Sequence, residues 1–426
     1  MVVECLILFF FRTLLVYNCL MKKKTADNEN RSSLRIANQK KLIPLLMDKA
    51  MSLTDISASI GVSFPAASAI VEELEKADIL KVVKEQSKTK RNGRIPVLVS
   101  FNLDYGLIGV IDVSSQNLKV ALYDLSNKIV LKRGIPGKEF ITKEDFEKLA
   151  EILKDMLKSK EAKGRKLLWI GISSPGMINK YTGDYALAYR IKDYDKINPQ
   201  TYFYNLFGVE TRLYNDIKSA AMAEQAYGVI HSGVQNAIFV HLGSSCGLSL
   251  LLNGSQYVGS NGYSGEISVY NHIDKESSSC LNNRFYSLHR IYKNTIDFKK
   301  EQGRACKNEI GYIDYNLLTT WIKEKDPDLN HFVDESAKMN ALALIGYADL
   351  LDVDLIVLEG PILLFGESYK NLLIKYINQY DAHEFRPHLQ FSSFKDDNSL
   401  LGVAYQANKE FFDSVFELLA SKRNGN

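Results

Sequence analysis

The spacing of hydrophobic positions changes near residue 107 of the chain. Before that point, apolar residues recur at the spacing of amphipathic helices, and after it short apolar runs alternate with longer helical segments. The runs at 107–113, 118–123 and 128–133 predict three successive strands, which precede a helix at 143–160 and a strand at 167–173. Strands and helices in this order are typical of an α/β domain.

A second block of elements follows in the C-terminal half. It contains predicted strands at 237–242, 247–252 and 256–258, a hairpin turn at Asn253-Gly254, a helix at 336–351 and a strand at 355–360. Asn-Gly is the dipeptide that two-residue hairpin turns favour. Two blocks of a strand meander with helices predict a duplicated α/β domain with a cleft between its two lobes.

The pattern before residue 101 predicts two short helices joined by a turn. Ser52 or Thr54 can cap the first helix and Gly61 ends it, while Ser63 caps the second, which carries Pro65 in its first turn. This is the helix-turn-helix plan, whose second helix enters the major groove of DNA. Any small three-helix unit would give a similar pattern.

The segment that follows favours the DNA-binding interpretation. The runs at 79–83 and 97–101 predict two strands that flank a basic loop, as in a winged helix-turn-helix. The positive charges of such a loop suit phosphates or a narrow minor groove. The predicted DNA contacts are Ser63, Ala66, Ala67, Ser68, Lys90, Arg91, Gly93 and Arg94.

Composition adds a charge asymmetry to this division. The chain has 426 residues, of which 46% are apolar and 24% charged, as expected for a soluble protein of several domains. Residues 21–100 hold 15 lysines and arginines against 9 aspartates and glutamates, whereas residues 101–426 hold 37 against 40. A basic N-terminal segment on a faintly acidic body predicts that the first part binds a polyanion.

Cysteine spacing and the N-terminus bear on the compartment. The five cysteines show no paired or CxxC spacing, which fits a reducing cytoplasm. Residues 1–20 are apolar, but Arg12 interrupts the run, no basic region precedes it and no small-residue cleavage site ends it. We interpret 1–33 as a start-site extension and flexible N-terminus, with membrane anchoring as the alternative, and Met21 as a more natural start.

Asn215 and Asp216 are the candidate ligand-binding residues that the local pattern indicates. They follow the apolar run ETRLY and precede a helix whose first turns carry the small residues Ser219, Ala220, Ala221 and Ala223. As Asx residues they could simply cap the helix. However, the carboxyl edge of a strand is where open α/β sheets bind ligands, and small residues allow close helix packing.

Several motifs together resemble the ROK family of repressors, open reading frames and kinases, and more narrowly its transcription regulators. The resemblance covers roughly residues 34–410 and rests on GRIP (93–96), GISSPG (171–176), NDIKSAAMAE (215–224), SGE (264–266) and DDNSLLGVA (396–404). It implies a winged helix-turn-helix plus a duplicated actin-like and hexokinase-like (ribonuclease H-like) two-lobed α/β domain. In kinases of this family, the residue matching Asp216 is the catalytic base, and Asn215 and Glu266 match sugar-holding residues. Gly176, at the end of GISSPG, is predicted to lie at the same site.

The chain departs from the family pattern where the kinases bind ATP. Their first phosphate loop is glycine-rich, whereas residues 112–117 read DVSSQN, and their second loop is replaced by Ser244-Ser245-Cys246. Side chains at such positions fill the space that phosphate needs, so we expect phosphoryl transfer to be lost.

The family's structural zinc site is also incomplete in this sequence. Val269 replaces its histidine, only Cys280 remains of its cysteines, and Asn282 replaces a sugar-binding glutamate. Although His272 lies nearby, one His and one Cys cannot supply the four ligands of such a site. We therefore predict no metal and no cofactor.

These observations predict a cytoplasmic, dimeric, sugar-responsive DNA-binding regulator that is not an enzyme. Its domains are expected at 34–101 (DNA binding) and 102–415 (sugar binding), followed by a tail at 416–426. Asn215, Asp216, Glu266 and Gly176 would bind a sugar, and a DNA operator would be the macromolecular partner. The alternatives are an active sugar kinase with an accessory DNA-binding domain and a degenerate scaffold that binds DNA but no sugar.

Overall fold

A computed structural model describes ten segments of the chain: residues 33–47, 49–84, 97–114, 117–138, 140–188, 190–267, 285–304, 313–381, 387–394 and 397–424. They form two compact units. The first holds the described residues up to Leu107 together with Asp124–Lys128 and those from Asn408 onward, and the second holds Ile108–Tyr123 and Ile129–Ala407.

The first unit begins with three helices: α1 (33–47), α2 (Leu53–Ile60) and α3 (Phe64–Lys76). Ser52 caps α2 by accepting the backbone N–H of Asp55, and Gly61 ends the helix in the left-handed conformation with φ 72°. Pro65 lies in the first turn of α3, where its missing N–H costs nothing.

A small antiparallel sheet completes the N-terminal part of this unit. Its strands are β1 (Met51–Ser52), β2 (Leu80–Lys84) and β3 (Val97–Phe101), in the order β1-β3-β2. Leu80 pairs with Phe101 and Lys84 with Val97, so the predicted strand pair is present. The basic loop between these strands lies outside the described residues.

The second unit contains a five-stranded sheet built from the first predicted block. The strands are β4 (Leu107–Asp112), β5 (Asn117–Asp124), β6 (Ile129–Pro136), β7 (Leu167–Ser174) and, after a short hairpin of β8 (Met177–Ile178) and β9 (Tyr185–Leu187), β10 (Thr211–Asn215). Their order is β10-β7-β4-β5-β6, and β10 runs parallel to β7. Helices α4 (Lys143–Leu157) and α5 (Pro199–Phe207) connect these strands.

A second sheet repeats this arrangement with the later elements. After α6 (Asp216–Tyr227) come β11 (Ala237–Leu242), β12 (Cys246–Leu252), β13 (Ser255–Tyr257), α7 (Leu288–Glu301), α8 (Tyr315–Glu324), α9 (Pro327–Leu351), β14 (Leu355–Glu359), a 3-10 turn (Pro361–Phe365), α10 (Gly366–Tyr380), β15 (His388–Phe391) and α11 (Asn398–Asn424). The strand order is β13-β12-β11-β14-β15.

The two sheets share one topology, which confirms the predicted duplication. In each, a three-stranded antiparallel meander is followed by a fourth and a fifth strand added on the side of the first. Asn253 and Gly254 have φ angles of 53° and 70°, so the predicted hairpin turn also forms.

The last helix differs from the sequence-based division of the chain. Residues 416–424, predicted as part of a tail, continue α11 without a break. The helix starts in the second unit, but its residues from Asn408 belong to the first. Phe412 packs edge-on against Phe101 of β3 with ring centroids 5.8 Å apart. Phe416 is also buried, so the apolar face of the helix extends beyond residue 415.

Candidate functional site

Asn215 and Asp216 lie where β10 passes into α6. In the parallel pairing of β10 with β7, Asn215 is opposite Ser174, so both residues end their strands at the same edge of the sheet. Asn215 is the N-cap of α6, since its Oδ1 accepts the backbone N–H of Lys218 at 2.9 Å. Asp216 is the first helical residue, and its Oδ1 accepts the N–H of Ile217 at 2.9 Å.

Asn215 also forms hydrogen bonds with two other predicted ligand-binding residues, so its role is not limited to capping the helix. Its Nδ2 donates to the carbonyl of Gly176 at 3.0 Å and to Oε1 of Glu266 at 3.4 Å. Gly176 has φ 120°, and a Cβ there would lie 2.5 Å from the carbonyl oxygen of Leu187. The turn after β7 therefore requires glycine, and the four predicted residues meet in one cluster.

Lys218 holds Glu266 in this cluster and was not predicted from the sequence. Its Nζ donates to Oε1 of Glu266 at 3.2 Å and to the carbonyl of Gly262 at 2.9 Å. Both side chains are largely buried, with 10% and 18% of their surfaces exposed. Burial raises the pKa of Glu266, and the ammonium of Lys218 only partly offsets this effect.

The carboxyl group of Asp216 is the most perturbed acid of the cluster. Burial raises its pKa from 3.8 to about 7, against the lowering effect of His241, and the nearby carboxylates of Asp112 and Glu266 raise it further. At neutral pH this group is therefore present in both its protonated and its ionised form. A carboxylate in this state can accept a hydrogen bond from a ligand hydroxyl or take up a proton.

Asp112 ends β4 of the first sheet and is fully buried. Its Oδ1 accepts the backbone N–H of Ser114 at 2.8 Å as well as the hydroxyl of the same residue, and its Oδ2 accepts the hydroxyl of Ser399 at 3.4 Å. Arg190 donates to the carbonyl of Ser114 at 2.7 Å. These bonds hold the first residues of the DVSSQN segment in a polar turn rather than in an open, glycine-lined loop.

His241 and Glu359 form a second pair that sequence reasoning missed. Nδ1 of His241 is hydrogen-bonded to Oε2 of Glu359. Burial lowers the pKa of His241, but the carboxylates of Glu359 and Asp216 outweigh burial and raise it overall. The only sequence signal is a pair of polar residues, each near the end of an otherwise apolar run (AIFVHL and LIVLE).

Helix α6 packs against α11 through small residues, as predicted from Ser219, Ala220 and their neighbours. A Cβ on Gly402 of α11 would lie 1.7 Å from the carbonyl oxygen of Ser219. Gln406, one turn further along α11, donates to Oγ of Ser219 at 2.9 Å. The two helices therefore meet backbone to backbone directly behind the Asp216 turn.

The predicted DNA-contacting residues divide into three groups. Ser63 is exposed and Ala66 and Ser68 are partly exposed on α3. Ala67 is fully buried in the helical core of the first unit, so the structure corrects its predicted role: it packs and cannot reach DNA. Lys90, Arg91, Gly93 and Arg94 lie outside the described residues.

The described residues bear on only part of the zinc and membrane predictions. Val269, His272, Cys280 and Asn282 lie outside the described residues, and the segments that are described contain no group of three His, Cys, Asp or Glu side chains able to hold a metal ion. Within those same segments, no single helix is long and apolar enough to span a membrane. The pair α2 and α3 meets the length and composition criteria only jointly, across a bend of 108°.

Comparison with known proteins places these features in a family. The model of the ROK family matches residues 108–410. A xylose repressor of Caldicellulosiruptor bescii is 23% identical over 390 residues, which is 88% of this chain and 96% of that protein.

Solved structures show the same fold at low sequence identity. A ROK family transcriptional regulator described as a homologue of the Escherichia coli MLC protein superimposes with a TM-score of 0.72 and 16% identity, covering 91% of this chain and 99% of that one. A ROK family glucokinase from Streptomyces griseus, solved with glucose and AMPPNP, gives a TM-score of 0.57 and 16% identity over 71% of this chain and all of that one. Since the family model spans well over half of its residues, the chain belongs to the ROK family.

Proposed function

We propose that this protein is a sugar-responsive, DNA-binding transcription regulator, a repressor of carbohydrate-utilisation genes, which binds a sugar without phosphorylating it. The observation that carries the proposal is the cluster of Asn215, Asp216, Glu266 and Gly176 at the start of α6. The name of the xylose repressor from Caldicellulosiruptor bescii, which matches along nearly its whole length, supports the same assignment.

The cluster suits a polyhydroxyl ligand. Asn215 offers an amide and Asp216 and Glu266 offer carboxylate oxygens, and carboxylates form charge-assisted hydrogen bonds with hydroxyl groups. Asp216 is also positioned at a helix N-terminus, where the helix dipole favours its ionised form. Lys218 fixes Glu266, so the acceptors are held in place before a ligand arrives.

The proposed absence of phosphorylation rests on the segments that replace the two phosphate loops. Ser114 is bonded to Asp112, and Ser244 and Ser245 occupy the turn between β11 and β12. Phosphoryl transfer depends on positioning and on charge stabilisation by such loops, so side chains in their place remove most of its rate.

An ATP-dependent sugar kinase with an accessory DNA-binding domain is the second candidate. The pKa of about 7 at Asp216 favours it, because a general base works best when its pKa is near the working pH. The third candidate is a scaffold that binds DNA but no sugar. It would leave the buried carboxyl group of Asp216 with only the backbone N–H of Ile217 as a recorded hydrogen-bond donor among the described residues.

For the first unit, we propose a winged helix-turn-helix. The order α2, Gly61 turn, α3, β2 and β3 supports it, as does the exposure of Ser63 and part of Ala66 and Ser68 at the start of α3. The basic loop would be the wing. Two-fold symmetric operators are bound by two-fold symmetric dimers, so we propose a homodimer. The unpaired spacing of its cysteines supports a location in the reducing cytoplasm.

The test is calorimetry with D-xylose, D-glucose and N-acetyl-D-glucosamine, run beside an ATP-consumption assay. Asp216→Asn keeps the side-chain shape but removes the charge, so sugar affinity should fall about ten- to a hundredfold. Asp155→Asn, on the exposed face of α4, is the matched control and should bind as the wild type does. Sugar-dependent ATP turnover that Asp216→Asn abolishes without weakening sugar binding would instead establish the kinase.

A further inference from the structure

Two polar side chains lie at the carboxyl ends of β11 and β14 in the second sheet. These strands are parallel, and His241 is paired directly with Glu359. Residues paired in this way project from the same face of a sheet, and here Nδ1 of His241 is hydrogen-bonded to the Glu359 carboxylate. The carboxylate is 8% exposed, whereas a quarter of the imidazole remains exposed.

The register of β11 with β12 identifies the element that packs on the sheet face carrying His241. His241 is opposite Gly247 in the antiparallel pair, so the two positions also share a face. A Cβ on Gly247 would lie 2.1 Å from Cδ1 of Ile217, the residue that follows Asp216 in the first turn of α6. The imidazole therefore emerges from the sheet beneath the turn that carries the Asp216 carboxylate.

Two glycines leave room for the ring and fix its position. A Cβ on Gly243 would lie 2.4 Å from Nε2 of His241, and one on Gly360 would lie 3.0 Å from its Cε1 and Nδ1. The ring is thus held between two bare stretches of backbone, with Nδ1 committed to Glu359. For Nε2, the structure records no hydrogen bond to any described residue.

We propose that Nε2 of His241 donates a hydrogen bond to the ligand hydroxyl from which Asp216 accepts one. This inference rests on the proposed sugar binding and makes His241 a specificity-determining residue of that site. A hydroxyl group can both accept and donate a hydrogen bond. A protonated imidazole donates to its oxygen, and a neighbouring carboxylate accepts its O–H. Glu359 favours the protonated ring, whose two nitrogens are both donors.

The pair selects for ligands that carry a free hydroxyl at this position. A site built to hydrogen-bond a hydroxyl rejects an analogue that lacks it, because the buried polar groups are then left unpaired. Monodeoxy and O-methyl sugars altered at the recognised position are therefore excluded.

The experiment is a double-mutant cycle between the protein and the sugar. D-xylose, D-glucose and each of their monodeoxy analogues are titrated into wild-type protein and into His241→Phe, which keeps an aromatic ring but removes both nitrogens. For one hydroxyl position, the ratio of parent to deoxy affinity should fall about tenfold in the variant. A ratio that stays the same at every position would overturn the inference.

A second variant decides the matter if His241→Phe does not fold. Glu359→Gln keeps a hydrogen-bonding partner for Nδ1 but removes the charge that favours the protonated ring. The charged groups facing His241 are Glu359 from β14 and Asp216 from α6. In the wild type the carboxylate of Glu359 keeps the proton of the neutral ring on Nδ1, so Nε2 loses its proton and sugar affinity should decline at high pH. In Glu359→Gln the amide can donate to Nδ1 and leave the proton on Nε2, so this decline should be smaller.

The outcomes separate this inference from the proposed function. Wild-type protein that binds none of the sugars would overturn both. Sugar binding whose decline at high pH is the same in wild type and Glu359→Gln would overturn the role of His241 alone and leave sugar binding by Asp216 and its neighbours intact.

Discussion

The raised pKa of Asp216 means that its ionised carboxylate is less stable in the folded protein than in water. In the unfolded chain the group titrates near its ordinary value of 3.8, whereas in the folded chain it titrates at about 7. The folded state therefore binds the extra proton between these values, and its stability declines as pH rises through that window. A ligand that bonds to the carboxylate would offset this cost.

The first prediction concerns this residue. Asp216→Asn should raise the free energy of unfolding at pH 8 by a few kcal/mol, with about 4 kcal/mol as the upper bound, because it removes a buried charge. The gain should shrink at pH 5, where the wild-type group is already protonated. Urea denaturation at both pH values measures it. An equal change at pH 5 and pH 8 would contradict the assignment, and Asp155→Asn should change stability at neither.

The residues that the sequence could and could not reveal differ in how far their partners lie along the chain. Asn215 and Asp216 were identified because a strand-to-helix junction is a local pattern. Glu266 and Gly176 came only from family motifs, since nothing near them in sequence indicates a ligand. His241 and Glu359 are 118 positions apart and meet through the register of β11 and β14, which no local pattern encodes.

At the scale of the elements, the contact of α6 with α11 depends on the absence of a side chain at Gly402. The sequence indicated this close packing, because the residues after Asp216 are small. It did not identify α11 as the partner helix. Two similar blocks of hydrophobic runs predicted the duplication, but they did not give the order of the strands within either sheet. The buried state of Ala67 was missed, although Ala67 shares the i, i+3, i+4, i+7 spacing of the apolar face with Ile70, Val71 and Leu74.

The second prediction tests this helix contact. Gly402→Ala should lower the free energy of unfolding by about 1–3 kcal/mol, because its Cβ would overlap the carbonyl of Ser219 and push the helices apart. Sugar affinity should fall as well, since Ser219 lies three residues after Asp216. Chemical denaturation and calorimetry measure the two effects. Ser421→Ala, near the exposed end of α11, serves as the control, and a Gly402→Ala protein as stable as this control would contradict the contact.

The third prediction concerns the basic loop between β2 and β3. Replacing both Arg91 and Arg94 with alanine should weaken DNA binding and reduce its dependence on salt, by roughly 0.9 in logarithmic slope for each lost phosphate contact. Fluorescence anisotropy with labelled duplex DNA over a range of salt concentrations gives the slope. Lys158→Ala with Lys160→Ala, two exposed lysines just beyond α4, provides a control of equal charge. An unchanged slope in the arginine variant would exclude the wing.

At the scale of the whole molecule, the two compact units are not two consecutive stretches of sequence. The first unit includes the C-terminal part of α11, where Asn408 donates to the carbonyl of Leu125 at 2.7 Å and Lys40 of α1 forms an ion pair with Asp413 at 2.8 Å. A fragment that ends at residue 101 would therefore lack part of its own core. The predicted boundary at 101 therefore differs from the structural one, since the first unit extends to Leu107 and also includes Asp124–Lys128 and the residues from Asn408 onward.

The fourth prediction follows from this shared helix. Phe412→Ala removes a buried ring that packs on Phe101 and Phe416, so it should destabilise the first unit by about 3–5 kcal/mol. DNA affinity should drop while sugar affinity stays at the wild-type value, because the ligand cluster lies in the second unit. Leu418→Ala, at an exposed position of the same helix, is the control. Equal loss of both affinities would contradict the division.

The location of Phe411 and Phe412 also bears on how the protein is made. A ribosome completes α1, α2 and α3 early, yet Phe411 and Phe412, which pack on Tyr105 and Phe101 in the same unit, are translated only after the whole second unit. Domains of a growing chain ordinarily fold in order from the N-terminus. Here the first unit stays incomplete until the second has been translated, so under the proposed function a chain truncated before α11 would be unable to occupy an operator.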